Sequence, residues 1–187
     1  MGSVIQFEER ALHSLRQRLG AAESANEDLV AFARGHSGAV AAIHRAVLAA
    51  IEADSFELLL ETVTRRWPDQ LGLDSVALAL VVGDQAWRTD ARGVEYLTPQ
   101  IVERASHRLQ QVELRAVERG HSLFGAEAGS VRAEALVRID CGGAYGLLAL
   151  GQHSDHRLDA RHGAALLLFL GQSLGAIIRG WLTRTTD

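Results

Sequence analysis

The stretch GLLALGQHSDHRLDARHGAALLLFLGQSLGAII, residues 146–178, decides the fold of this chain. An apolar, strand-like run ends at Gly151, a polar loop follows, and a second apolar run then begins. The run 164–178 contains Gln172 and Ser173 and is shorter than the roughly 20 residues that a membrane-spanning helix needs. We therefore predict a strand, a loop and a buried helix, without membrane association.

Composition restricts the class of protein. Apolar residues make up 48% of the 187 residues, which is enough for a buried core, and the formal net charge is −4. All 19 cationic residues are arginine, so lysine chemistry is excluded, and no basic stripe predicts a nucleic-acid partner. Cys141 is the single cysteine, and Glu8 interrupts the N-terminus too early for a secretory signal. We expect a cytoplasmic protein.

The N-terminal residues 5–34 have the pattern of a long helix with a heptad seam. An Asn at one a position specifies the register of a two-stranded coiled coil, because paired Asn side chains satisfy each other. We predict a homodimer through this helix; the alternative is an amphipathic helix that packs on its own domain. The predicted interface residues are Leu12, Leu15, Leu19, Asn26 and Leu29.

Downstream of this helix the pattern predicts an α+β domain. A helix at 39–53 is followed by one that begins at Asp54, with Glu57 completing a capping box. We predict an antiparallel five-stranded sheet with helices packed on one side, preceded by the long N-terminal helix, with domains at 1–37 and 38–187. The predicted strands are 75–82, 85–89, 112–117, 135–140 and 144–151, and two further helices span 98–110 and 159–183.

The order of these elements resembles a GAF-like domain. Such domains end with a strand reading G-hydrophobic-L-A-L-G, a polar loop and a long apolar helix, as residues 146–178 do. The segment DSFELLLETVTRRWPDQLGLDSVALALV, residues 54–81, is similar to the family's opening helix and first strand. More closely, roughly residues 5–182 resemble the bacterial DUF484 family of unknown function, including a central Leu123-Phe124-Gly125. That resemblance implies a coiled-coil-like helix before a GAF-like regulatory or sensory domain.

The resemblance also implies a ligand pocket between the sheet and the helix and loops on its open face. A buried arginine there would favour an anionic ligand by bidentate pairing. In the alternative reading the aromatic residues fill core and the arginines reach water. The chain would then be a ligandless scaffold or adaptor that recruits a protein partner. The predicted pocket residues are Trp87, Arg88, His121, Phe124, Arg138 and Tyr145.

Residues that could carry catalysis or hold a metal form no recognisable motif. His153, His156 and His162 lack the spacing of zinc ligands, so we expect no metal and no cofactor. Cys141 is expected to be accessible at a hairpin tip. One cysteine is too few for the GAF-like methionine-sulfoxide reductases, and cyclic-nucleotide GAF domains use a lysine that this chain lacks. We therefore predict a non-enzymatic module.

The double substitution Leu15→Asp with Leu19→Asp tests the predicted dimer seam. Each change places a charge where a large aliphatic side chain would be buried between chains, so the full-length homodimer should dissociate. Light scattering at micromolar concentration measures the mass. A wild-type monomer under the same conditions would show the prediction to be wrong.

Overall fold

The computed structural model describes residues 17, 20, 35, 37–154 and 160–184. The chain divides into two units, Met1–Gly38 and Ala39–Asp187, and the fold described below is that of the second, whose first helix begins at Ser37. The domain boundary predicted between residues 37 and 38 stays a prediction. The predicted dimer-interface residues lie outside the described residues: Leu12, Leu15, Leu19, Asn26 and Leu29.

Helices open the domain. Helix α1 is Ser37–Ile51, and α2, Phe56–Glu61, continues through a π-helical turn at Thr62–Arg66 into α3, Trp67–Leu71. The helix predicted to begin at Asp54 is capped one residue later, because the Ser55 hydroxyl accepts the N–H of Leu58 at 3.1 Å. A buried hydrogen bond joins α3 to α1. The indole N–H of Trp67 donates to the carbonyl of Ala46 at 2.9 Å.

The sheet has six antiparallel strands, and the predicted count of five is wrong. The order across the sheet is β3-β2-β1-β6-β5-β4, with β3 pairing only with β2 at the edge. Nearly all of β3 is exposed, and its five residues are too few for burial to impose a clear strand pattern on the sequence. The strands are β1 Ser75–Val82, β2 Gln85–Asp90, β3 Gly93–Leu97, β4 Val112–Ala116, β5 Ala133–Asp140 and β6 Ala144–Gln152.

Both faces of the sheet are covered, and the predicted layering of helices on one side is also wrong. One face packs against α1, α2, α3 and α5, Ala160–Arg184. The other packs against α4, Pro99–Arg108, and a 3₁₀ segment, Ser122–Gly129. Strands β1 and β6 are apolar on both faces and β5 is buried along most of its length, so each face of the sheet needs its own cover to exclude water.

Helix α5 lies directly against β5. A Cβ on Gly175 would lie 2.5 Å from the carbonyl oxygen of Asp140, and one on Gly171 would overlap the side chain of Val137. The segment Gly163–Arg184 is the one helix in the described part of the chain with the length and hydropathy to cross a membrane. Its inner face is buried on the sheet, as in the core helix of a folded domain, through Leu170, Leu174 and Ile178.

Cys141 is buried, which corrects the expectation of an accessible thiol. Its side chain is 1% exposed within the core under α5, and its N–H donates to the carbonyl of Ala144 at 2.9 Å. Burial raises the pKa of the thiol to about 11, and the nearby Asp140 adds to the effect. The thiol is therefore protonated at neutral pH and is a poor nucleophile.

Substitution Gly175→Ala should lower the free energy of unfolding by about 1–3 kcal/mol, because the added methyl group meets backbone that cannot move aside. Gly180→Ala is the matched control on the same helix. Its Cβ would meet only the end of Arg184 at 3.7 Å, so this change should stabilise the domain by up to about 1 kcal/mol. Urea unfolding measures both. Equal changes in the free energy of unfolding for the two variants would contradict the close packing of α5 on β5.

Candidate functional site

A cavity of about 400 Å³ opens between α4, strands β4 and β5, and the start of the 3₁₀ segment. It lies on the α4 side of the sheet, where Leu136 belongs to the core beneath it. Its walls combine aliphatic side chains with two arginines, a glutamate and a histidine. The lining residues are Ile101, Arg104, Ala105, Leu109, Glu113, Arg115, His121, Ser122 and Leu136.

A buried carboxylate supports one wall of this cavity. Glu134 on β5 is 1% exposed and is the cross-strand neighbour of Arg115 on β4. The Nε and Nη2 groups of Arg115 donate to Oε1 of Glu134 at 2.7 and 2.6 Å, and the N–H of His121 donates to Oε2 at 2.6 Å. A charge removed from water needs such partners. The carboxylate therefore holds β4, β5 and the chain at residue 121 in one arrangement.

Arg115 has a second carboxylate at the cavity mouth. Its Nη1 lies 3.1 Å from Oε1 of Glu113, and both side chains are 42% exposed. The two residues share a face of β4 because side chains alternate along a strand. Burial acts to lower the pKa of Arg115, but hydrogen bonding and attraction to Glu134, with a smaller effect of Glu113, outweigh it and raise that pKa. The guanidinium keeps its charge.

His121 caps the 3₁₀ segment and presents its other nitrogen as a donor. Its Nδ1 accepts the N–H of Leu123 at 3.2 Å. Burial lowers the pKa of the imidazole below its ordinary 6.5, although attraction to Glu134 opposes that effect. The ring is therefore neutral at pH 7. Since Nδ1 accepts, the proton resides on Nε2, which makes this group a hydrogen-bond donor.

Arg88, another predicted pocket residue, secures the Leu123-Phe124-Gly125 turn. Its guanidinium is paired with Glu95 and lies 3.5 Å from Asp90, and its Nη1 donates to the carbonyl of Leu123 at 3.5 Å. Gly125 has φ 55° and ψ −122°, a backbone conformation that L side chains rarely adopt, and a Cβ there would overlap this guanidinium. Arg88 thus positions the segment that follows His121.

The remaining predicted pocket residues lie elsewhere. Phe124 is buried in the core below the 3₁₀ segment. Trp87 is on the opposite face of the sheet, in an apolar cleft of about 290 Å³, with its ring centroid 6.4 Å from that of Tyr96. Arg138 and Tyr145 line a separate cleft of about 170 Å³ beside α4. Of the six predicted residues, only His121 lines the 400 Å³ cavity.

Sequence reasoning missed four charged residues of the site: Arg104, Glu113, Arg115 and Glu134. The alternation in β4 places Glu113 and Arg115 on one face, and the same alternation in β5 places Glu134 on one face with Leu136. Both signals were available in the sequence. The cross-strand pairing that joins Arg115 to Glu134 was not, because it depends on the register of β4 against β5.

No three His, Cys, Asp or Glu side chains are grouped to hold a metal ion in the part of the chain that the structure describes. The N–H of His153 donates to Oδ2 of Asp74 at 2.7 Å, and its Nδ1 lies 3.7 Å from Oδ1. His156 and the side chain of His162 lie outside the described residues. The expected absence of a metal stays a prediction.

Comparisons with known proteins identify both a family and a fold. The model of the DUF484 family, "Protein of unknown function", matches residues 1–183, and no curated protein matches the chain. Three similar solved structures can be compared. The GAF domain of a phosphoenolpyruvate-protein phosphotransferase from Coxiella burnetii has 15% identity and a TM-score of 0.59, and the alignment covers 81% of this chain and 99% of that one.

The second structure is the free methionine-R-sulfoxide reductase of Neisseria meningitidis in complex with its substrate. It has 12% identity and a TM-score of 0.57, with 76% of this chain and 89% of that one covered. The third is a protein in its far-red-absorbing dark state with bound biliverdin IXa, at 19% identity and a TM-score of 0.53, with 75% and 99% covered. These likenesses confirm the predicted GAF-like fold.

His121→Asn should reduce the sensitivity of the domain to acid. Because the pKa of His121 is lowered by folding, the unfolded chain takes up a proton near pH 6.5 that the folded chain does not, so stability falls as pH decreases below about 6.5. Asn keeps an acceptor for the Leu123 N–H but does not titrate. Urea unfolding between pH 7 and pH 5 measures the difference. The stability of the wild type relative to the variant should decline over that range, and a constant difference would contradict the assignment.

Proposed function

This chain belongs to the DUF484 family, and we propose that it is a non-enzymatic regulatory or sensory module whose GAF-like domain binds a small molecule beside α4. One observation carries the proposal: the cavity of about 400 Å³ combines convergent polar groups with an apolar floor. Its volume lies within the range of about 300–1,000 Å³ typical of small-molecule sites. The ligand is held by the domain without being transformed.

The chemistry of the cavity favours binding over catalysis. Enzymes that use a nucleophile place it within hydrogen-bond reach of a base. Ser122 contributes the one hydroxyl in the cavity lining, and no hydrogen bond joins it to His121. Both carboxylate oxygens of Glu134 already accept hydrogen bonds, one from Arg115 and the other from the N–H of His121. Cys141 is buried in the core on the α5 side of the sheet.

The similar structures support a ligand-holding role for the fold. One of them holds biliverdin IXa and another holds the substrate of a reductase. Both are under 20% identical to this chain, so they say nothing of which molecule fits here. The identity of the ligand depends on the side chains of this cavity.

A second candidate function is that of a scaffold or adaptor, and a specific surface favours it. Leu48 and Ile51 on α1 and Phe169 on α5 are large apolar side chains that stay exposed. The ring of His44 lies 6.3 Å from that of Phe169, so the two helices present one continuous surface. Exposed apolar surface of this kind marks contacts with other proteins. The homodimer that we propose, or another protein partner, would use it alongside the N-terminal helix.

Ser122→Trp tests the proposed small-molecule function. Ser122 is exposed at the cavity wall, so an indole there should fill the cavity without disturbing the core. The probe is a small molecule that co-purifies with the wild type or raises its melting temperature in a screen. We expect that molecule not to bind this variant. Native mass spectrometry and the shift in melting temperature are the measurements.

Ser130→Trp is the matched control, since Ser130 is also exposed and follows the 3₁₀ segment but does not line the cavity. It should bind as the wild type does. If the wild type binds nothing, or if Ser122→Trp and Ser130→Trp bind equally well, the small-molecule proposal fails and the scaffold function is favoured.

A further inference from the structure

We propose that the molecule bound in this cavity carries a carboxylate, which takes the place of Glu113 on Arg115. This inference rests on the proposed function and specifies the chemical class of its ligand: a small carboxylic acid with an apolar body. The argument depends on how Arg115 is oriented, how weakly Glu113 is held, and how charge is balanced around the cavity.

Arg115 is oriented by a contact within the protein itself. A guanidinium has five N–H donors in a rigid planar fork. The fully buried carboxylate of Glu134 engages the Nε and Nη2 groups at 2.7 and 2.6 Å, so it fixes the plane and direction of the fork. The Nη1 group remains on the cavity side, where it contacts Glu113. Such a preoriented donor loses little conformational entropy when it binds an anion.

Glu113 is the replaceable partner of Arg115. Its side chain is 42% exposed, in contrast to Glu134, and among the described residues it has one ion pair, the 3.1 Å contact with Arg115. Exposed ion pairs contribute little to stability because water and salt screen them. The Glu113 carboxylate can therefore turn into solvent when another carboxylate reaches Nη1. Its carboxylate contacts the Nη1 group that we assign to the carboxylate of the ligand.

The charges around the cavity match one added carboxylate. Arg104 also lines the cavity, and its Nε donates to the carbonyl of Gln100 at 3.2 Å. With Glu113 turned away, two arginines face one buried glutamate, which leaves one positive charge uncompensated. A ligand carboxylate would neutralise it, and the Nε2 group of His121 supplies a further donor. The apolar body of the ligand would contact Ile101, Ala105, Leu109 and Leu136.

Benzoate and its neutral analogue benzamide are suitable probes, because they differ only in the group that the proposal concerns. Dissociation constants are measured by ligand-observed NMR titration of the full-length protein. Wild-type protein should bind benzoate more tightly than benzamide. Glu113→Gln should tighten benzoate about fivefold, which is the most that an exposed ion pair usually contributes. Arg104→Gln should weaken benzoate by a similar factor, and neither change should alter binding of benzamide.

Glu103→Gln is the matched control, since Glu103 is an exposed acid on α4 that does not line this cavity. It should leave the affinity for benzoate unchanged. Equal tightening by Glu103→Gln and Glu113→Gln would overturn the inference, because a general charge effect would explain both. So would equal binding of benzamide and benzoate, or undiminished binding of benzoate to Ser122→Trp. These outcomes leave the proposed function intact if Ser122→Trp still abolishes binding of another molecule.

Discussion

The negative charge of Glu134 is the constraint on which the site depends. Glu134 is 1% exposed, and moving a carboxylate from water into such a site costs free energy. That free-energy cost is offset only when both carboxylate oxygens accept strong hydrogen bonds. Those donors come from two other parts of the chain, the guanidinium of Arg115 and the N–H of His121. One buried charge thereby joins β4 to β5 at the edge of the sheet and to the start of the 3₁₀ segment. These contacts hold the wall of the cavity that Arg115 and His121 form.

The sheet separates two regions with different roles. The α5 side is a continuous apolar core, and none of the described charged residues of the site lies on it. Gly175 brings α5 directly against the backbone of β5. On the α4 side, the cover is shorter and includes the turn secured by Arg88, and the polar cavity opens beside it. Helices cover the α5 side, and the described polar groups of the site lie on the α4 side.

The parts of the fold that follow from local pattern were predictable, and those set by tertiary context were not. The runs in β1, β5 and β6 and the helix α5 were recognised because burial imposes apolar residues there. Strand β3 was missed because an exposed edge strand needs no such pattern. In the site, His121 was predicted from the family resemblance. Arg115 and Glu134 were not, since a charged residue in a strand reveals its partner only once the strands are aligned.

The buried thiol of Cys141 can be used to measure local opening of the domain. The thiol lies in the core that α5 covers, so a reagent added to the solution reaches it only after that core opens. Since the chain contains one cysteine, all labelling comes from that one position. The rate of modification under native conditions therefore measures the frequency of local opening at the β5–β6 turn. A change in that rate when the cavity is filled would record energetic coupling through the sheet between its two faces.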